Sequence, residues 1–292
     1  MFVAATAVGC TAAATTDPAG SGRNGQGREL TDTEEVLTER AEERLVKQCM
    51  ERAGFRYWEG PIVSAEQRKG YGYVLDDVEW AKKYGFGGQL EAKAQQDRRR
   101  DPNISYLKKL SQAERARYDK ALDGDGTGRT LSVELPTGGT VRTPGDGCRA
   151  EAKDHLYGDY ETWFRVKKTA ESLTPLYVPD LTRSERFVKA LKEWSDCMRK
   201  AGHDYADPPR IRAELEELVD GLSPAEAHAV EVPLAVDEAT CASTTSLADT
   251  ARGLEREFRD KNLARYSDEI AAYQDMRLAA LARAKDIAGP AG

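Results

Sequence analysis

Gln48-Cys49-Met50-Glu51-Arg52-Ala53-Gly54-Phe55-Arg56-Tyr57 returns later in the same chain as Asp196-Cys197-Met198-Arg199-Lys200-Ala201-Gly202-His203-Asp204-Tyr205. The common pattern, C-M-x-x-A-G-x-x-Y at fixed spacing, marks an internal duplication. Each copy reads as the end of an amphipathic helix. In the second, Phe187, Leu191, Trp194, Met198 and Ala201 recur at alternating steps of four and three, one face of a helix. Thr182-x-x-Glu185 offers a capping box at its start, and Gly202 offers the left-handed position past its end, as Gly54 does in the first copy.

Working outward, each copy is followed by a second cysteine at the head of a helical stretch, Cys148 before Arg149–Lys168 and Cys241 before Ala242–Ala288. Four cysteines allow three connectivities. The duplication favours the one that keeps each bridge within its repeat, Cys49–Cys148 and Cys197–Cys241. No C-x-x-C occurs, and His155, His203 and His228 are not spaced with the cysteines as zinc ligands would be.

Other helix signals agree. Asp32 or Thr33 can cap a first helix through Ala53, and Ser111-x-x-Glu114 one through Leu122. Pro208-Pro209 can open a short helix to Val219. Ser223-Pro224-Ala225-Glu226 joins a capping box to a proline at the first helical position, and Pro233 interrupts that helix or begins the next. From Leu247, an apolar stripe runs through Ala251, Leu254, Phe258, Leu263, Tyr266, Ile270 and Tyr273, skipping a step near Lys261-Asn262. It predicts a long C-terminal helix, about 75 Å if continuous over about 50 residues, that could project or pair as a coiled coil. The exception is Thr130–Leu135 and Thr140–Arg142 about Pro136-Thr137-Gly138-Gly139, a small β-hairpin that must lie on the helices. The expected fold is mainly α, a bundle-like domain with two disulfides.

The chain has 292 residues, 40% hydrophobic and 32% charged, with mean hydropathy −0.65 and a net charge of −7. Such a balance describes a polar helical surface around a modest core and argues against a nucleic-acid partner. No run of about 20 apolar residues exists to span a membrane. Met1 to Cys10 is uncharged, and small polar residues then dominate to Gly27. Ala7-Val8-Gly9-Cys10 resembles a bacterial lipobox, with Ala7 where Leu is usual and only about eight apolar residues ahead, without a basic flank. The start is therefore expected to lie inside a longer signal. Residues 1–30 are read as signal remnant, lipobox and tether, and 31–292 as one domain of two repeats, 31–175 and 176–292. Setting Cys10 aside leaves an even number of cysteines, which suits an oxidising compartment.

Together Cys10, Cys49, Met50, Gly54, Tyr57, Gly147-Cys148-Arg149-Ala150-Glu151-Ala152, Tyr157-Gly158, Cys197, Met198, Gly202 and Tyr205 resemble a family of secreted actinobacterial lipoproteins. The likeness covers most of 31–260. It implies an envelope location and a helical fold and brings no catalytic residues.

Two segments are candidates for binding. Asp123-Gly124-Asp125-Gly126-Thr127-Gly128, with Glu134 twelfth from Asp123, has the spacing of a calcium loop. Thr130 at the eighth position and Pro136 with Gly138-Gly139 in place of an exiting helix oppose it, so the expectation is a turn and no metal. Tyr57–Gly88 is rich in rings and glycine, and Tyr57, Trp58, Tyr71, Tyr73, Trp80 and Tyr84 are candidate sugar-stacking aromatics, or else rings covering a loose core. No nucleophile elbow, P-loop, H-E-x-x-H or dinucleotide fingerprint occurs, and no cofactor is expected. The function expected is that of an exported, lipid-anchored protein on the outer face of the cell membrane. It binds or scaffolds, without catalysis, an envelope glycan or another envelope protein. The alternative is an envelope hydrolase acting on glycan or peptide through scattered carboxylates.

Overall fold

The computed structural model describes residues 27–70 and 72–288, so Cys10 and Tyr71 lie outside the described residues. In chain order the elements are α1 (Asp32–Arg52), α2 (Ala65–Arg68), α3 (Val78–Tyr84), α4 (Gly88–Arg99), α5 (Pro102–Leu107) and α6 (Gln112–Asp123). There follow β1 (Thr130–Glu134), β2 (Thr140–Pro144), α7 (Cys148–Tyr157), α8 (Tyr160–Glu171), α9 (Val178–Arg183) and α10 (Glu185–Lys200). The chain ends in α11 (Pro208–Val219), α12 (Pro224–Thr244), α13 (Leu247–Asn262) and α14 (Ser267–Ala288). The hairpin is antiparallel, with Thr130 opposite Pro144 and Glu134 opposite Thr140. Its Leu131 and Val133 are buried among residues of α7 and α8, the support a lone hairpin requires.

Local chemistry sets the helix starts. Reciprocal capping boxes join Ser111 to Glu114 and Ser223 to Glu226, as the spacing predicts. The first cap is Thr31 rather than Asp32 or Thr33: its hydroxyl accepts from the Glu34 N–H while the Glu34 carboxylate accepts from the Thr31 N–H, a reciprocal capping box. Likewise α10 is capped by Ser184, which accepts from the Phe187 N–H; Thr182 instead donates to the Val178 carbonyl inside α9. Pro233 neither interrupts nor begins a helix but lies exposed within α12, where its ring meets solvent. The expected Arg149–Lys168 stretch divides into α7 and α8 at Gly158, whose φ of +99° ends a helix. Cys241 sits near the end of α12, not at the head of the next helix.

The two repeat motifs adopt one geometry. In α1, Gly54 at φ +86° donates to the Glu51 carbonyl and Phe55 to that of Met50, at 3.0 and 2.9 Å. In α10, Gly202 at φ +96° donates to Arg199 and His203 to Met198, at 3.1 and 2.9 Å. Both are Schellman ends. The methionine of the motif is the carbonyl that closes the turn, and its side chain is fully buried in each copy.

The disulfides are Cys49–Cys148 and Cys197–Cys241, each within its repeat, spanning sequence separations of 99 and 44. Loop-closure entropy gives roughly 5 and 4 kcal/mol for loops of these lengths, as an upper guide. The repeats nevertheless share their cores. Leu75, Trp80 and Ala81, from the first half, pack on Ala235 and Ala239 of α12. In exchange, Ala280 and Ala284 of α14 join Ala41, Trp163 and Val166 of the first half. The predicted C-terminal helix is present as α14. It does not continue from α13, because Leu263 leaves helical geometry where the Asn262 side chain is held by the Leu176 carbonyl and Asp180. The break turns the stripe from one core to the other, so α14 packs along α1 and α8 instead of projecting as a coiled coil.

Candidate functional site

Chain reversal concentrates the glycine-rich segments at one place. The loop from α6 to β1 meets the turn Gly145-Asp146-Gly147 that leads from β2 into α7. Gly147, at φ +88°, lies so close to Gly124 that a Cβ there would stand 2.5 Å from the Gly124 nitrogen. Asp146 fills the concavity: a Cβ on Gly124 would come within 2.3 Å of its Oδ1. That Oδ1 is buried and has no hydrogen-bond partner. Beside it opens a cavity of about 790 Å³ bordered by the Cys49–Cys148 bridge, Phe55, Arg129, Glu151 and Tyr160. A second, of about 310 Å³, shares Asp146, Ala150 and Tyr160 and is flanked by Lys153, Lys167 and Lys168.

Electrostatics here are balanced. Arg149 pairs with Asp123 at 2.9 Å, Lys153 with Glu42 at 3.0 Å, Lys168 with Glu171 at 3.1 Å, and Arg129 with Glu161. The cavities therefore present a network of paired charges, not a cradle for an anion.

The calcium-loop candidates are not brought together. Asp123 faces Arg149, and Asp125 accepts from Lys120 and from the hydroxyl and N–H of Thr127, which hold its carboxyl below the usual range. Glu134 lies at the far end of β1, about 13 Å along the strand from Thr130. Among the described residues no group of three His, Cys, Asp or Glu side chains is arranged to hold a metal.

The aromatic candidates are dispersed as well. Tyr57 is buried, its hydroxyl on Glu43 at 3.1 Å, and burial pushes its ionisation up. Trp58 packs edge-on to Tyr106 with the Arg56 guanidinium over its ring. Tyr73, half-exposed, packs edge-on to Phe187, and burial of its hydroxyl pushes it up to about 12. Trp80 is buried, donates to the Glu66 carbonyl and meets Tyr84. Of the five that are described, Trp80 and Tyr84 share one core while Tyr57 belongs to another and Tyr73 packs on Phe187 of a third, so the five form no shared stacking surface.

Sequence reasoning missed two buried carboxylates of α12. Glu231 accepts from the N–H groups of Phe86 and Gly88 at 3.2 and 3.3 Å, capping the start of α4. A Cβ on Gly88 would fall 2.3 Å from its Oε1, which explains the glycines of this loop: they admit a carboxylate from α12. Glu238 is fully buried, with Oε1 accepting from the Leu75 N–H and Arg212 at 2.9 and 3.0 Å, while Oε2 has no partner. Burial pushes its carboxyl up, and Arg212 opposes that only in part. Nothing in the sequence separates these two from the other acidic residues; the only signal is their spacing of seven, which puts them on one face of a helix.

The remaining unusual feature is apolar. Leu218, Leu222 and Val230, three of the six large hydrophobic residues exposed among those described, lie within thirteen residues at one end of the α11–α12 pair. Scans against protein-family models, curated proteins and solved structures find no match to the chain.

Proposed function

We propose that this is an exported protein, anchored through a lipid on Cys10 to the outer face of the cell membrane, with a non-catalytic binding or scaffolding role. The observation that carries the reading is the pairing of Cys49 with Cys148 and of Cys197 with Cys241, which leaves Cys10 alone in the small-residue segment ahead of the fold. Two bridges of this kind belong to an oxidising compartment. A binding role is supported over hydrolysis because Glu238, the carboxyl that burial pushes up, is fully buried between Arg212 of α11 and the Leu75 N–H and out of a substrate's reach, whereas Leu218, Leu222 and Val230 stand open. The partner is an envelope component, protein or glycan. Fractionation of cells making the wild type and Cys10→Ala tests the location: the wild type is expected in the membrane fraction and the variant in the medium. Recovery of both from the cytoplasm contradicts it.

A further inference from the structure

From Ala213 to Ala251 the chain has no Lys or Arg, although 43 basic residues are spread over its 292 positions. This stretch forms most of α11, the turn after it, and all of α12. Ile211 shares a core with Leu234, and Arg212 reaches Glu238, so the two helices run antiparallel about residues 220–223 as a helical hairpin. Glu231 and Glu238 are buried in it. Glu216, Glu217, Asp220 and Glu226 are exposed at or near its closed end, the end that also carries Leu218, Leu222 and Val230 at 41, 40 and 39% exposure. On the hairpin itself every charged side chain beside these apolar ones is acidic. The neighbouring α4, joined to it where Gln89 donates to the Pro224 carbonyl, holds its Lys93 and Arg98 in ion pairs with Asp97 and Glu91. Exposed apolar side chains among acidic ones are the composition of a docking surface.

We propose that the closed end of the α11–α12 hairpin docks a basic, amphipathic polypeptide segment of a partner protein. Apolar side chains of the segment would cover Leu218, Leu222 and Val230, and its Lys and Arg would meet Glu216, Glu217, Asp220 and Glu226. Charge chooses among occupants. An anionic membrane or a nucleic acid would be repelled, and a symmetric contact between two copies would set these carboxylates against each other. The inference deepens the binding role proposed above by naming the partner's chemistry, and it does not depend on the anchor.

The test is fluorescence anisotropy with the full chain and a labelled amphipathic Lys/Leu helical peptide of about four turns, beside an all-Lys peptide of the same charge. The Lys/Leu peptide is expected to bind at 0.15 M salt at least tenfold more tightly than the all-Lys one. Leu218→Ser/Leu222→Ser and Glu216→Lys/Glu217→Lys/Asp220→Lys are each expected to weaken it at least tenfold, with thermal melts verifying the fold. Reversals on exposed faces elsewhere, Glu185→Lys and Glu193→Lys, are expected to change it less than twofold. Absence of binding, equal binding of both peptides, or indifference to the hairpin variants overturns the proposal. Localisation of the Cys10→Ala variant is read separately, so failure of the docking surface and failure of the anchor are distinguishable.

Discussion

Gly54 and Gly202 hold φ values near +90° with open space where a Cβ would project, so replacing either by alanine strains only the backbone. A left-handed L-residue costs about 1–2 kcal/mol. Gly54→Ala and Gly202→Ala are therefore expected to destabilise the protein by similar amounts in urea titrations, and a difference of more than about 1 kcal/mol would separate the two motifs physically. Glu238 makes a different prediction. Its folded carboxyl titrates above the unfolded one, so folding favours the protonated form and that stabilisation is complete below the unfolded value, near 4.5. It is lost as pH rises from there through the raised folded value. Glu238→Gln removes the dependence: the stability of the variant relative to wild type is expected to be higher at pH 8 than at pH 4, whatever the constant offset. An offset independent of pH would mean that Glu238 is ionised as readily in the fold as in the open chain.

At the scale of elements, Pro233 is the local conflict. It lies in the interior of a 21-residue helix, leaves the Ala229 carbonyl without its usual donor, and contributes no buried ring. Pro233→Ala is expected to raise stability by about 1–3 kcal/mol in the same titration, and a loss would show that the proline shapes α12 for its neighbours. This proline also shows what could be read in advance. Caps and glycine ends rest on residues within five positions of each other, so Ser111, Ser223, Gly54 and Gly202 were legible. Pro233 stays within α12 because packing of the turns that follow it, through Leu234, Ala235 and Ala239, outweighs its intrinsic cost. The hairpin was legible from Gly138-Gly139 and alternation. Glu231 and Glu238 were not, since their partners, Gly88 and Leu75, lie more than 140 residues away in the chain. The aromatic segment looked like one surface because its rings are close in sequence, but Tyr57 and Trp80 are drawn into separate cores.

At the scale of the molecule, exchange of elements between the halves ties them together. Trp163 is stacked between Tyr157, with ring centroids 3.7 Å apart, and Tyr273 of α14, at 5.3 Å. Truncation after Asn262 removes that lid and also uncovers Ala41 and Val166, residues of the opposite half. The near-ultraviolet dichroism of the truncated protein is expected to lose its aromatic signal and its unfolding to broaden; an unchanged spectrum would show that the first repeat packs without α14. The bridges act on the same whole. Cys49→Ser/Cys148→Ser and Cys197→Ser/Cys241→Ser are expected to lower stability by up to about 5 and 4 kcal/mol, each along a single transition if the interleaved cores unfold together.

An exported, tethered, disulfide-braced binding protein is the central claim, and intact mass measured on the protein from its native envelope, with thiol alkylation before and after reduction, tests it most directly. The account predicts a diacylglyceryl adduct on Cys10 as the mature N-terminus and four thiols that react only after reduction. An unprocessed N-terminus with five thiols alkylated at once would contradict it.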